Sequence, residues 1–437
     1  MGSRDDAVTH VASADVVIPI GAPPLDRASV ATRNGLILEV GDREHILRRY
    51  PEAEERRWAG VLMPGLVNAH THLQYTLFAE LGATKHAGFE EWSVAFDHVY
   101  RDRSETEDWL GAAVLGAGMA LRSGTTTIAD ICTDIAAMGA LRDAGLSGYS
   151  FFEALGCDWV EWANGSREQF LDQVNAARAS ETGSWRVGIS PHAPYSLDTP
   201  VLADIAAISR ASGMRLHTHL AESEFEDVYY RAGIGPLADF VATFRPGFEV
   251  LADGGTGLSS AEFASQTGLL DTACHVAHGI YLDAEGRSIL RDTCTPVALC
   301  PRSNATIGLS PPPIADYLSE GNSICIGTDS LSSSPSLDLL EDVRLLRDLA
   351  IEQGYDAPDL SSRLLAAATV GGADALGMDR AGGVGLIESG RRADFAVFSV
   401  DTSSKEAESY VVAAGAGNCT ATIVGGELRF AATRSAD

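Results

Sequence analysis

Short apolar runs alternate with amphipathic stretches along the middle of the chain, from about residue 61 to residue 378. The runs that predict strands lie at residues 125–131, 148–153, 187–190, 214–220, 275–278, 297–300 and 324–328. Intervening segments, such as residues 201–212 and 289–294, have helical character. Strand and helix alternating over this length predict parallel β/α units, and the size suits an α/β protein built on a (β/α)8 TIM-type barrel.

Both ends of the chain have a different pattern. Apolar runs at residues 14–20 and 35–40 are separated by Gly, Pro and Asp, and similar runs return at residues 393–400 and 421–427. This pattern is typical of short strands joined by turns. We therefore predict that residues 1–60 and 379–437 share one small β domain, and that residues 61–378 form the barrel.

Charge narrows the range of partners. The chain has 60 acidic and 32 basic residues, a formal net charge of -28, which repels phosphate backbones and anionic lipid headgroups. A small-molecule substrate is expected, with no nucleic acid and no membrane as partner. Seven cysteines without a C-x-x-C pair, and an N-terminus without the pattern of a signal peptide, predict a cytoplasmic protein.

One histidine pair introduces candidate chemistry. The sequence PGLVNAHTHL places His70 and His72 two residues apart after an apolar run, and residues i and i+2 of a strand share a face. Two imidazoles on one face can hold one metal. Taken alone, the pair would more simply be hydrogen-bonded core histidines.

Three more motifs supply groups of the same chemistry at the ends of other predicted strands. LHTHLAES contains His219 and Glu222, CHVAHG contains His278, and ICIGTDS contains Asp329. Imidazoles with one carboxylate suit a catalytic zinc or iron that keeps a position open for water. Asp329 could accept the proton of that water, Glu222 could carry protons to a substrate, and His278 could hold the water or be a further ligand.

The motifs PGLVNAHTH, HTHLAE, VAHG, LCPRSN and GTDSLSSSPSLDLLEDVR, in this order, resemble the amidohydrolase superfamily in its deaminase and chlorohydrolase branch. The resemblance covers nearly the whole chain and implies a (β/α)8 barrel with a small composite β-sandwich from both chain ends. It implies catalytic roles for Glu222, His278 and Asp329. The metal ligands that it implies are His70, His72, His219 and Asp329.

The resemblance also bears on metal number. Binuclear relatives carry a carboxylated lysine at the end of the fourth strand, and the region compared with it, residues 148–154, has no lysine. One divalent metal is therefore expected, with Zn2+ first and Fe2+ or Mn2+ as alternatives. Relatives are commonly dimers, so a homodimer is left open.

Substrate contacts are predicted around the barrel mouth. His192, in SPHAPYSL, matches a substrate-facing histidine of nucleoside-deaminating relatives, with a structural cap as the alternative. Gln74, Phe89 and Trp92 lie in the loop and helix after the first histidine pair, where core packing is an equal alternative for Trp92. Lys85 could meet a substrate carboxylate, although a surface role is the simpler interpretation.

Other polar residues near these motifs are assigned supporting positions. His217 shares the inward parity of His219 and is predicted to be a supporting, hydrogen-bonded residue. His275 is three residues before His278, so strand alternation predicts that it points away from the site. Residues 302–304 are expected in a turn at the rim.

The loop pattern resembles the aminodeoxyfutalosine deaminases of menaquinone biosynthesis, and the wider motif set resembles methylthioadenosine, S-adenosylhomocysteine and adenosine deaminases. The resemblance implies a zinc-dependent hydrolytic deaminase that converts the 6-amino group of a purine nucleoside to the 6-oxo form. One alternative is a hydrolase acting on another ring, such as a triazine, a pterin or guanine. An alternative of another class is a non-catalytic scaffold, against which the full set of metal and proton-transfer residues argues.

Overall fold

The computed structural model describes residues 8–432. Its strands are β1 (His10–Val17), β2 (Leu25–Arg33), β3 (Leu36–Asp42), β4 (Glu54–Pro64), β5 (Leu66–Thr71), β6 (Thr125–Cys132), β7 (Ser147–Ala154), β8 (Trp185–Pro191), β9 (Leu216–Leu220), β10 (Cys274–His278), β11 (Val297–Leu299), β12 (Ile324–Ile326), β13 (Phe395–Phe398), β14 (Cys419–Val424) and β15 (Glu427–Ala431).

The helices are α1 (Arg43–Arg49), α2 (Ala79–Gly82), α3 (Phe89–Arg103), α4 (Trp109–Arg122), α5 (Ala140–Ala144), α6 (Trp159–Glu161), α7 (Arg167–Arg178), α8 (Thr199–Ser212), α9 (Glu226–Ala232), α10 (Pro236–Phe244), α11 (Glu249–Ala252), α12 (Ser260–Gln266), α13 (Ala284–Asp292), α14 (Pro301–Ile307), α15 (Ile314–Glu320), α16 (Leu339–Glu352), α17 (Leu360–Ala366), α18 (Gly372–Ala375) and α19 (Ala407–Ala414). A 3-10 helix spans Leu73–Phe78.

Strands β5 to β12 form an eight-stranded parallel barrel in which each strand neighbours the next one in sequence. Every residue of β5, β6 and β7 is buried, as expected for parallel strands that are covered on both faces. Side chains join the first strand to the end of the last one: Asn68 Nδ2 donates to Thr328 Oγ1 at 2.8 Å, and the Thr328 amide donates to Asn68 Oδ1.

A separate seven-stranded sheet, ordered β15-β14-β13-β4-β1-β2-β3, contains both ends of the described chain. Strand β4 joins them, because it pairs with β1 on one side and with β13 on the other. This sheet and the barrel confirm the predicted fold class. Because β4 runs through residue 60 and leads at Gly65 into β5, the division at residues 60 and 378 stays a prediction. Residues 1–7 and 433–437 of the predicted β domain lie outside the described residues.

Two local predictions are wrong. The single strand predicted at residues 421–427 is a hairpin, because Gly425 and Gly426 adopt positive φ angles of 61° and 81° and turn the chain between β14 and β15. The turn predicted at residues 302–304 lies inside helix α14, where Pro301 occupies the first helical position, a position that favours proline. Within residues 8–432, no helix is both long and apolar enough to cross a bilayer.

Candidate functional site

Four histidines and two acidic residues of the predicted site meet at the carboxyl ends of the barrel strands, where barrel enzymes carry their chemistry. The rings of His70, His72, His219 and His278 lie within 5.4 Å of one another for every measured pair. The Nε2 atoms of His72 and His219 are 3.2 Å apart. Four separate strands therefore bring the predicted motifs into one cluster.

A chain of hydrogen bonds fixes which nitrogen of His70 faces this cluster. His217 Nδ1 lies 3.1 Å from the carbonyl oxygen of His275, which only accepts hydrogen bonds, so this nitrogen carries the proton. His217 Nε2 then accepts from His70 Nδ1 at 2.7 Å. The other nitrogen, His70 Nε2, keeps a free lone pair. It is buried and has no hydrogen-bond partner among the described residues.

His219 is oriented in the same way by a different group. Its Nδ1 donates to the carbonyl oxygen of His192 at 2.6 Å, and its amide donates to the same oxygen at 2.8 Å. Burial lowers the pKa of His219 and His70, and it lowers the pKa of His72 to about 3. The three imidazoles are therefore neutral, which is the form that binds a metal.

Asp329 completes the cluster from a strained position. Its φ of 59° is uncommon for a residue other than glycine, and such outliers concentrate at functional sites. Oδ2 accepts from the hydroxyls of Ser303 at 2.6 Å and Ser333 at 2.9 Å. Oδ1 lies 3.5 Å from His70 Nε2 and 3.8 Å from His72 Nε2.

Burial alone would raise the pKa of Asp329. The two serine hydroxyls that donate to Oδ2 stabilise the ionised form, so Asp329 is assigned as a carboxylate. A buried histidine nitrogen without a partner, two further imidazoles and a carboxylate oxygen match the donor set of a catalytic zinc site. These residues could hold one divalent metal.

Glu222 and His278 lie beside the candidate metal ligands. Glu222 Oε1 is 3.5 Å from His278 Nε2, and burial raises the pKa of Glu222 to about 7. Glu226 holds the turn that carries Glu222: its carboxylate accepts from the amides of Ala221 and Glu222 at 2.8 Å and of Ser223 at 3.1 Å. Sequence reasoning missed Glu226, whose only sequence signal is an acidic residue four positions after Glu222.

Asp130, at the end of β6, is another supporting residue that the sequence did not reveal. Its Oδ1 accepts from the amide of Leu73 at 2.8 Å and from the hydroxyl of Thr71 at 2.9 Å. These two residues flank His72 in the chain. The Asp130 carboxylate therefore holds the side chain before His72 and the backbone amide after it.

The four predicted substrate contacts lie around the same end of the barrel. His192 is half-buried, its Nδ1 is 3.0 Å from Ser196 Oγ, and its ring centroid is 4.9 Å from that of His219. Gln74 is buried, and its Oε1 accepts from the amides of Thr133 and Asp134. Their contact with a substrate stays a prediction.

Phe89 and Trp92 occupy the first turn of helix α3. Trp92 Nε1 donates to the carbonyl oxygen of Ser332 at 2.9 Å, which ties the helix to the loop after Asp329. The Trp92 ring packs between Phe89 and Phe96, with centroids 5.7 Å and 5.4 Å away. The two residues therefore pack against each other at the start of α3, and their contact with a substrate stays a prediction. Lys85 is exposed in the preceding loop.

The predicted direction of His275 is wrong. Its ring stacks on His217 at a centroid distance of 3.8 Å inside the barrel, one layer below the cluster. The alternation argument failed because His278 has a φ of 73°, so the strand geometry ends at that residue. Arg302 is at the rim, where its guanidinium binds Asp342 at 2.7 Å.

The barrel and the cluster at its strand ends define a class, the metal-dependent barrel hydrolases. Residues 61–429 match the amidohydrolase family, and the chain belongs to this family. The predicted superfamily is confirmed. The protein is a hydrolase that acts on carbon–nitrogen bonds other than peptide bonds.

Three similar proteins illustrate the relationship. The 5-methylthioadenosine/S-adenosylhomocysteine deaminase of Moorella thermoacetica is 29% identical over 384 residues, which cover 86% of this chain and 82% of the relative. The fold is shared with Helicobacter pylori aminofutalosine deaminase in complex with methylthio-coformycin (TM-score 0.82, 22% identity, 96% of this chain and 99% of that chain). It is also shared with a Xanthomonas campestris adenosine deaminase with bound zinc (TM-score 0.79, 22% identity, 96% and 92%).

Proposed function

We propose that this protein is a zinc-dependent deaminase that replaces the 6-amino group of a purine nucleoside with oxygen and releases ammonia. The observation that carries the proposal is the convergence of His70, His72, His219 and Asp329 beside the Glu222–His278 pair. The relative from Moorella thermoacetica, named for two 6-aminopurine nucleosides, supports the substrate class. The bound zinc of the Xanthomonas campestris structure supports the metal.

His70, His72, His219 and Asp329 would hold the metal. When bound, such a metal lowers the pKa of a water molecule to about 7, which makes a nucleophile available at neutral pH. Asp329 accepts one proton from the attacking water through its Oδ1. His278 Nε2, 3.5 Å from Glu222 Oε1, orients that water by a hydrogen bond.

Glu222 acts as the general acid. With its pKa raised to about 7 by burial, the side chain is partly protonated at neutral pH, and the protonated form donates to the ring nitrogen N1 as oxygen adds to C6. The proton on Asp329 then passes to the amino group, which leaves as ammonia. The remaining hydroxyl proton restores Glu222, so one water is consumed for each ammonia released.

Among the candidate nucleosides we propose aminodeoxyfutalosine first, which would place the enzyme in menaquinone biosynthesis. The resemblance of the loop after His72 supports this choice, together with the shared fold of the Helicobacter pylori enzyme. A homodimer and a cytoplasmic location stay predictions.

Ammonia release and a UV scan test the proposal. Zinc-loaded protein is offered adenosine, methylthioadenosine, S-adenosylhomocysteine, aminodeoxyfutalosine, guanine, a pterin and a triazine. We expect one 6-aminopurine nucleoside to react far faster than the other compounds. If every nucleoside is inert while another ring reacts, the fold and family stand and the proposed substrate class is wrong.

A further inference from the structure

Glu153 has a buried carboxyl group that the proposed mechanism does not use, and burial raises its pKa to about 7. It lies near the carboxyl end of β7 and is 8% exposed. Its Oε2 accepts from Thr133 Oγ1 at 2.7 Å, whereas no residue from 8 to 432 donates to its Oε1. A buried acceptor without a partner carries a free-energy penalty of about 1–3 kcal/mol. Such a group is suited to a donor that arrives with a ligand.

Gln74 provides a second incomplete group next to the first one. Its Oε1 accepts from the amides of Thr133 at 2.9 Å and Asp134 at 3.1 Å, and its buried Nε2 has no acceptor within the described part of the chain. Thr133 therefore binds both side chains, Gln74 through its amide and Glu153 through its hydroxyl. Thr133 thus positions an acceptor, Glu153 Oε1, and a donor, Gln74 Nε2, that both lack a partner among the described residues.

The position of Glu153 relates it to the proposed reaction. Ligand atoms of Glu153, His192 and His219 lie within 4.8 Å of one another, whereas Asp329 forms a separate group with His70 and His278. Glu153 thus lies to one side of the candidate metal ligands, next to the predicted substrate contact His192. A purine with C6 at the reacting centre extends away from that centre and carries its sugar with it.

We propose that Glu153 and Gln74 recognise the sugar of the nucleoside, with Glu153 accepting hydrogen bonds from ribose hydroxyls and Gln74 donating to an oxygen of the same sugar. This inference rests on the proposed function and names the part of the substrate that the site selects. A site built to bind a hydroxyl rejects an analogue that lacks it, because the buried polar groups are then left unpaired.

A second divalent cation is the competing occupant, since Glu153, His192 and His219 could be its ligands. The hydrogen bonds disfavour this assignment. His219 Nδ1 is bonded to the carbonyl oxygen of His192, and its Nε2 faces His72 in the first cluster, so neither nitrogen is free. His192 Nδ1 is bonded to Ser196. Hydroxyl donors satisfy Glu153 without disturbing any of these contacts.

The test compares each reactive ribonucleoside with its 2′,3′-dideoxy analogue. Above pH 7, where Glu153 is ionised, we expect the wild-type enzyme to prefer the ribonucleoside in kcat/KM by about 10- to 100-fold, the range of a hydrogen bond to a charged group. Glu153→Gln, which presents an amide in place of the second carboxylate oxygen, is expected to reduce that preference to a few-fold. Glu55→Gln, the same change at an exposed position of β4, is the control and keeps the full preference.

Calorimetry provides a readout other than turnover. Inosine and 2′,3′-dideoxyinosine are titrated into the zinc-loaded protein, and the difference in Kd is expected to shrink to a few-fold in Glu153→Gln. If that variant does not fold, Thr133→Val removes the hydroxyl that orients Glu153 and is expected to weaken the preference in the same direction.

Three results would overturn the inference: equal use of both nucleosides by the wild-type enzyme, full preference retained in Glu153→Gln, or a zinc content that drops from two ions to one in that variant. Failure of the proposed function looks different. In that case the wild-type enzyme deaminates no ribonucleoside at all. The calorimetry then decides the sugar assignment by itself, and absence of inosine binding would overturn it.

Discussion

Removing the hydrogen-bonding nitrogens of His217 tests whether the second layer of the barrel prepares the metal site. His217→Leu has a similar volume but leaves the buried Nδ1 of His70 without its acceptor at 2.7 Å. The penalty of about 1–3 kcal/mol for an unpaired buried N–H favours moving the proton to Nε2, the nitrogen that faces the cluster. Loss of an outer hydrogen-bond partner lowers metal affinity by about 10- to 100-fold.

The assay is a zinc titration in competition with a chelator, performed on wild-type protein, His217→Leu and His217→Gln. The glutamine can donate to the carbonyl oxygen of His275 and accept from His70, so we expect it to recover most of the affinity. Thermal unfolding of the metal-free proteins separates a change of the fold from a change at the metal. Equal zinc affinity in wild-type protein and His217→Leu, at equal stability, would refute the reasoning.

Further predictions concern Glu222, Glu226 and Gly327. Glu222→Gln is expected to keep its zinc and to lose about 100- to 10,000-fold in kcat, the range of general acid–base catalysis; near-normal turnover would contradict the acid role. Because Glu222 acts protonated and burial raises its pKa to about 7, kcat/KM of the wild-type enzyme should be full below pH 7 and fall above it; a flat profile across pH 7 would count against this. Glu226→Gln replaces one of the two carboxylate oxygens that accept from three backbone amides. The turn should then misplace Glu222 slightly, which is expected to lower kcat about 100-fold and to leave the zinc content unchanged. An unaltered kcat would show that other contacts hold the turn. In Gly327→Ala the new Cβ would lie 2.6 Å from His70 Cβ, so both Tm and zinc affinity should fall, with about 1–3 kcal/mol of destabilisation from overpacking; an unchanged Tm would show that the strand can move aside.

The sequence located the strands and the metal-binding motifs where a histidine or carboxylate directly follows a predicted strand. Buried parallel strands are apolar runs, and each catalytic motif interrupts such a run at its carboxyl end, so β5, β9 and β10 could be located together with the histidines that they carry. The spacing of His70 and His72 implied one face, and both rings point into the cluster.

Supporting contacts were not visible in the sequence because they depend on backbone angles and long-range pairing. The positive φ of His278 ended the alternation used to orient His275. Glu153 meets Thr133, 20 positions earlier, and Asp130 meets Thr71, 59 positions earlier. No local pattern marks such partners, since a buried carboxylate at a strand end looks the same whether it binds a backbone amide or a substrate.

The most direct test of the central claim is product analysis in water enriched with heavy oxygen. Zinc-loaded protein is incubated with the nucleoside panel, and the products are examined by mass spectrometry while ammonia is measured. The proposed function predicts that a 6-aminopurine nucleoside yields one equivalent of ammonia and a 6-oxo product with one heavy oxygen, and that Glu222→Gln abolishes both. Contradiction would be a zinc-loaded wild-type enzyme that releases no ammonia from any 6-aminopurine nucleoside and incorporates heavy oxygen only into another ring.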